Sequence, residues 1–270
     1  MVSVVVAVYD ERRHIEECLD TLLAQRYQPL EVIVVDDGSR DGTPDVVARF
    51  REVRLLRRAH LGAGSARNAG AGVARGEILV FVDGDMAFPP EWVERMVAPM
   101  LEDGAPGTFT REILVANGHR RWARAHQLGR GLPVDRHFRD GFPDRWDIFR
   151  AVWRREFERV GGFDEIGHGE DVTLGRKLGV QAHAAPCAVC RHYEPDTLVD
   201  IYRSARWYGR GERIGERPFP WRAYAPDRML LRAVRVGRRR GPSVGVYKLV
   251  FDTGVAVGRL TRGRRGAVAK

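Results

Sequence analysis

No stretch of about 18 uncharged apolar residues occurs in the 270-residue chain, so no membrane-spanning helix is predicted. Cysteine is scarce: Cys18, Cys187 and Cys190 are the only three. They do not make the disulfide framework of a secreted scaffold, and a reducing cytoplasm suits them best. The opening MVSVVVAVYDE is apolar but short. It lacks a basic leader and a small-residue cleavage site, so no signal peptide is expected. Internal repeats and long low-complexity linkers are also missing. That leaves one large domain, or a domain with an appendage, as the expected organisation.

What the chain does have is basic charge. Its formal net charge is +9 and its pI about 10.0. Such a balance favours anionic partners: nucleic acid, anionic lipid or a phosphorylated substrate. The charge is uneven, with twelve arginines against three acids over residues 203–240. A solvated basic face is the plain alternative.

The first hundred residues alternate between strand and helix patterns. VSVVVAVY (2–9), LEVIVVDD (30–37), VRLLRR (53–58) and EILVFVDGD (77–85) read as strands, the continuous apolar runs as strands buried on both faces. Helical spacing links Ile15, Cys18, Leu19, Leu22 and Leu23. Thr43-Pro44 marks a helix start, residues 62–75 read as a small-residue helix, and Pro90 opens another helix. This rhythm predicts a mostly parallel sheet with helices on both faces. After residue 103 the rhythm breaks, and residues 104–147 read as irregular structure over a site. Helices are expected near 151–159, 170–179 and 197–213. Residues 217–243 are dominated by proline, glycine and arginine, and 244–260 is amphipathic.

In a parallel sheet, ligands bind beyond the carboxyl ends of the strands. Three acidic clusters are predicted at those ends: Tyr9-Asp10-Glu11, Asp36-Asp37-Gly38-Ser39 and Asp83-Gly84-Asp85. Turn chemistry explains any one of them, but three on one edge suggest a site. Two carboxylates flanking a glycine at a strand end can ligate Mg²⁺ or Mn²⁺, with phosphate oxygens completing the shell. In GAGSARNAG (62–70), Arg67 is the one long charged side chain, either a surface arginine or a reach towards a nucleotide.

The combination VSVVVAVYDE, VIVVDDGSRDGT, GSARNAG and ILVFVDGD resembles the family 2 glycosyltransferases. VGGFDE (160–165) and GEDVTLGRKL (169–178) extend the likeness over roughly residues 2–215. The resemblance implies a GT-A type nucleotide-diphospho-sugar transferase fold, an α/β architecture with a mostly parallel central sheet. It implies a donor-binding half over 1–103 and an acceptor-binding, catalytic half over 104–216, followed by a basic, amphipathic tail over 217–270. By position, Asp37 would accept the base N–H, and Ala7, Tyr9 and Glu11 would line the nucleoside pocket. Arg67 would contact base or ribose. Asp83 would meet ribose or metal-bound water beside Gly84, and Asp85 would hold the metal. Asp10 and Ala7 are mild departures from the family's usual residues.

Glu170-Asp171 resembles the family's acid pair, although two acids at a helix start also suit the helix dipole. Asp171 is the expected base that takes the acceptor hydroxyl's proton, and Glu170 an orienting partner. Trp146 and Asp147 are candidates for an acceptor wall. For His192 the resemblance implies a third metal ligand or a diphosphate contact, with a surface histidine as the plain alternative. Arg203, Arg206 and Trp207 resemble a QxxRW motif with arginine replacing glutamine, and the arginines are candidates to face a diphosphate. Cys187-x-x-Cys190 alone is a weak zinc signal.

The expected activity is therefore inverting transfer of a sugar from a nucleotide-diphosphate donor to a carbohydrate or lipid-linked acceptor. The expected cofactor is Mn²⁺ or Mg²⁺. Within the tail, the amphipathic segment 244–260, flanked by Arg238–Arg240 and by Arg262, Arg264 and Arg265, is expected either to lie on an anionic membrane or to pack on the domain. The expected location is the cytoplasm, free or peripheral on the membrane's inner face. Nucleic acid is not an expected partner, because three acidic strand ends would repel phosphates. A sugar-1-phosphate nucleotidyltransferase is disfavoured by YDERRH (9–14), where a glycine-rich loop is needed. A non-catalytic nucleotide-binding relative stays open.

Overall fold

The computed structural model describes residues 1–166, 169–211 and 220–261. They fall into two compact units. The first comprises Met1–Leu114, Asp140–Ile166 and Glu170–Tyr193. The second holds Val115–Arg139, Gly169 and the described residues from Glu194 onward.

The first unit is built on an eight-stranded sheet. Its strands are β1 (Val2–Val8), β2 (Leu30–Asp36), β3 (Val53–Arg57), β4 (Ile78–Asp83), β6 (Gly107–Phe109), β8 (Arg145–Trp146), β9 (Ala151–Trp153) and β10 (Ala182–Ala184). They lie in the order β3-β2-β1-β4-β9-β6-β10-β8. The first four are parallel, joined by crossovers that hold α1 (Ile15–Leu23), α2 (Thr43–Val47) and α3 (Ala63–Val73). Register sets Ala7 opposite both Val35 and Asp83, and Val8 opposite Asp36, so the three acidic strand ends share one edge. β5 (Met86–Ala87) and β11 (Cys190–His192) pair antiparallel beside β7 (Ile113–Val115), with His192 opposite Met86.

The core forms where the sequence is most apolar. Val5, Ile33, Val35, Leu79 and Phe81 meet Phe109, Phe149, Phe157, Phe163 and Leu174 in one cluster. Helix α3 lies directly on β1 and β2 because Gly70 has no side chain. A Cβ there would collide with Val5 and come within 3.0 Å of Val35. α4 (Trp92–Glu102) buries Trp92, Val93, Met96, Val97 and Met100. α6 (Arg154–Arg159) and α7 (Asp171–Leu178) complete the unit.

The second unit is helical in its described residues: α5 (Arg121–Arg130), α8 (Leu198–Arg210), a short 3-10 turn (Trp221–Tyr224), α9 (Pro226–Arg240) and α10 (Pro242–Leu260). α10 packs on α8, α9 and α5 around Ala125, Ile201, Val244 and Tyr247. Its contact with α8 is made backbone to backbone. A Cβ on Gly254 would lie 2.7 Å from that of Ala205, and one on Gly209 or Gly258 would strike a carbonyl of the facing helix. Asp252 is buried and held by Arg232 at 2.8 Å and Lys248 at 2.7 Å. Glu194 lies between His126 at 3.3 Å and His137 at 3.0 Å.

Three segments differ from the sequence expectation. Residues 104–147 contain α5 as well as short strands, because its arginines and histidine obscure the apolar stripe. Residues 151–153 form a strand at the head of the expected helix. They are inserted antiparallel between β4 and β6, where the ladder outweighs a three-residue local pattern. Residues 226–240 form a helix that starts at a proline and is filled by arginine, a good helix former.

The close approach of α3 gives a paired prediction. Gly70→Val should destabilise the protein by at least about 2 kcal/mol through overpacking. Gly72→Ala, on the same helix but with open space at its Cβ, should stabilise it by about 0.5–1 kcal/mol. Thermal melting of both variants checks the contrast.

Candidate active site

The loops at the shared sheet edge are tied together by their own polar side chains. Asp10 takes a left-handed conformation (φ 59°), which aspartate tolerates better than most residues. Its N–H donates to Ser39 Oγ at 2.9 Å, and its Oδ1 accepts from the Arg40 N–H at 2.8 Å. The Glu11 N–H donates to Thr43 Oγ1 at 2.9 Å. Asp37, 3% exposed, organises the turn before α3. Its carboxylate accepts from the backbone N–H groups of Leu61 (3.1 Å) and Gly62 (2.7 Å), and His60 Nδ1 lies 2.9 Å away. Tyr9, 43% exposed, sets its ring 4.1 Å from that of His60. Ala7 is half-buried at the end of β1.

Beyond β4 a buried ionic network forms. Arg67 donates through Nη1 to Glu170 Oε1 at 2.7 Å and through Nη2 to Asp83 Oδ1 at 2.8 Å. Arg150 donates to the other Asp83 oxygen at 2.9 Å. The Arg67 guanidinium also lies 5.7 Å over the Phe163 ring. Burial opposes the ionisation of Asp83, yet Arg150 and Arg67 hold it well below the usual carboxylate range. Burial raises Glu170, and among the described residues its Oε2 has no hydrogen-bond partner. Gly64 permits this approach, since a Cβ there would meet the Asp164 carbonyl at 2.7 Å and the Glu170 side chain at 3.2 Å. Asp171 begins α7 and accepts from the Val172 N–H at 3.0 Å.

A second group lies across Gly84. His192 Nε2 is 3.5 Å from Asp85 Oδ2, and His14 Nδ1 is 3.6 Å from Glu11 Oε2. A Cβ on Gly84 would be 2.7 Å from a Val8 methyl and 3.4 Å from Glu11, so glycine lets the two strand ends pass. Burial, and then the Asp85 charge, push Glu11 up to about 7. Such a pair carries more negative charge than it can hold comfortably, and a divalent cation with oxygen ligands relieves that. Asp85, with His192 Nε2 3.5 Å from its carboxylate, stands at this edge beside Glu11.

Trp146 sits at the margin of the core, edge-on to Phe142 (4.9 Å) and Phe109 (5.7 Å). Asp147 lies under α7, where a Cβ on Gly175 would strike its carbonyl, and it accepts from Gln181 at 3.0 Å. Arg203, Arg206 and Trp207 belong to α8 of the second unit, Arg203 and Trp207 being exposed and Arg206 half-buried. Burial pushes the Cys190 thiol up to about 12. His14, His60 and Arg150 are the site residues that the sequence reading missed. Each is a single polar residue outside a motif.

The family model described as "Glycosyl transferase family 2" matches residues 3–161. Putative glycosyltransferase EpsH of Bacillus subtilis is 35% identical over 100 residues, which cover 36% of this chain and 29% of that protein. Matches to the curated relatives span half or less of their own length. Staphylococcus aureus TarS 1–349 in complex with UDP-GlcNAc superposes with a TM-score of 0.58 at 15% identity, covering 98% of this chain and 92% of that 1–349 chain. The mannosyltransferase PcManGT of Pyrobaculum calidifontis, in complex with GDP-Man and Mn²⁺, gives 0.57 at 21% identity, covering 100% and 76%. The fold is that of the GT-A glycosyltransferases.

Two outcomes follow from the charges. Arg67→Met should destabilise the protein by about 3–5 kcal/mol, as for a buried ion pair that loses one partner, read by denaturant unfolding. Glu11 has a raised folded-state pKa. Its contribution to stability is therefore fully present below about pH 4.5 and is lost as pH rises through about 7. Without added metal, Glu11→Gln should flatten that part of the stability profile and be the more stable protein at alkaline pH.

Proposed function

Because the chain belongs to glycosyl transferase family 2, we propose that it catalyses inverting transfer of a sugar from a nucleotide-diphosphate donor to an acceptor hydroxyl. The observation that carries this reading is the Glu170–Arg67–Asp83 linkage. It ties the start of α7, where Asp171 stands, to the Asp83-Gly84-Asp85 turn.

The donor's nucleoside lies against Ala7, Tyr9 and Glu11, with Asp37 shaping the turn that closes over it. Asp83, kept ionised by its two arginines, accepts from a donor hydroxyl. Asp85, with Asp83 and His192 nearby, would hold Mn²⁺ or Mg²⁺, and such a cation would neutralise charge on a departing diphosphate. Asp171 takes the proton of the attacking hydroxyl at its carboxylate oxygen. Glu170 positions Asp171 through its own anchorage on Arg67. Trp146 and Asp147, beside α7, line the acceptor side. Envelope polysaccharides, glycolipids and other glycoconjugates are the acceptor class this reading favours.

The reading divides the chain into a donor half (1–103), an acceptor and catalytic half (104–216) and a basic C-terminal segment (217–270). Among the described residues no helix is long and apolar enough to cross a membrane.

A thermal-shift screen of UDP-, GDP-, dTDP- and CDP-sugars with and without Mn²⁺ identifies the donor, since a ligand stabilises the state it binds by mass action. Asp85→Asn should abolish the metal-dependent part of the shift. Asp171→Asn should keep the shift and lower transfer by about 10²–10⁴-fold. Unchanged transfer would remove Asp171 as the base.

A further inference from the structure

Of the two expectations for 244–260, contact with a membrane or packing on the domain, α10 takes the second, burying Val244, Tyr247, Asp252 and Val255 in its unit. The outward surface belongs mainly to α9. Leu230, Leu231 and Val234 are 56%, 58% and 47% exposed on consecutive turns of one face. Val246 of α10, 42% exposed, joins them across a shallow groove of about 430 Å³ that Gly237, Pro242 and Gly245 floor. Large aliphatic side chains so exposed and so clustered mark a surface that meets something apolar.

The surrounding charge says what that is. Arg228, Arg235, Arg238, Arg239 and Arg240 are all exposed on α9. Residues 226–261 hold eight basic and two acidic residues. Of the acids, Asp252 is buried against Arg232 and Lys248, and Asp227 stands at the start of α9 beside Arg228. A second copy docking symmetrically would bring this cationic face against itself. Nucleic acid would gain nothing from the leucines. An apolar stripe bordered by arginines matches an anionic lipid surface, where the leucines enter the acyl boundary and the arginines meet the headgroups.

We infer that the α9 face centred on Leu230, Leu231 and Val234, with Val246 of α10, seats the protein on an anionic membrane surface. This gives a location to the membrane expectation and does not rest on the sugar-transfer reading.

The test uses the full chain and two vesicle types: phosphatidylcholine alone, and equimolar phosphatidylcholine and phosphatidylglycerol. The wild type should co-sediment with the anionic vesicles only, less so as salt rises. Arg235→Gln/Arg238→Gln/Arg239→Gln should bind them on the order of a hundredfold more weakly. Leu230→Ser/Leu231→Ser/Val234→Ser should lose binding comparably. All six side chains are solvent-exposed, so both variants should keep the native circular dichroism. Equal sedimentation with both vesicle types, or unchanged binding by either variant, would overturn the proposal. So would self-association that the serine variant abolishes, which would assign the face to a second copy. The donor-dependent thermal shift, read on the same proteins, separates the two readings. Vesicle binding without a shift counts against sugar transfer alone, and a shift without vesicle binding counts against this face alone.

Discussion

The guanidinium of Arg67 is the contact on which the first unit's chemistry depends. It reaches two carboxylates that stand far apart in the chain, Asp83 at the end of β4 and Glu170 at the start of α7. A desolvated arginine is tolerable only because both ends of its fork are occupied, and a desolvated carboxylate only because a cation meets it. Arg150 supplies the remaining charge, so two cations balance two anions. The planar fork fixes angles as well as distance. A lysine would supply the charge without that geometry.

The other acids at the sheet edge divide their labour by what they meet. Asp36 accepts from the Ser39 N–H, and Asp37 accepts from the Leu61 and Gly62 N–H groups with His60 and Arg58 beside it. Asp83 is committed to arginines. Glu11 and Asp85 repel each other in a partly dry setting, with histidines rather than arginines nearby. Neighbouring acids in one sequence pattern thus carry different electrostatics, and Glu11 and Asp85 are the pair left in mutual repulsion.

Much of this was legible in the sequence, for local reasons. β1, β2 and β4 are valine-rich runs with polar ends, and their order fixes which edge the acids share. The small residues of 62–70 announced close packing, and Gly70 and Gly64 supply it. The acid pair at 170–171 stood out at a helix start. What could not be read came from long-range pairing. Arg150 immediately precedes β9, a strand that exists only because β4 and β6 flank it, and Tyr9 meets His60 only through the fold. α5 and α9 were hidden because arginine fills their exposed faces, which blurs the apolar period while favouring the helix.

The glycine contacts between α8 and α10 reach further than packing. Two helices that touch through Gly209, Gly254 and Gly258 leave no layer of side chains to readjust if one is taken away. α10 is therefore an integral wall of its unit and not a detachable extension. A chain cut before Pro242 would bare the Ile201 and Ala205 side of α8 to water, and its behaviour would report a broken unit. Dissecting this region calls for single substitutions on its outer surface, which leave the wall standing.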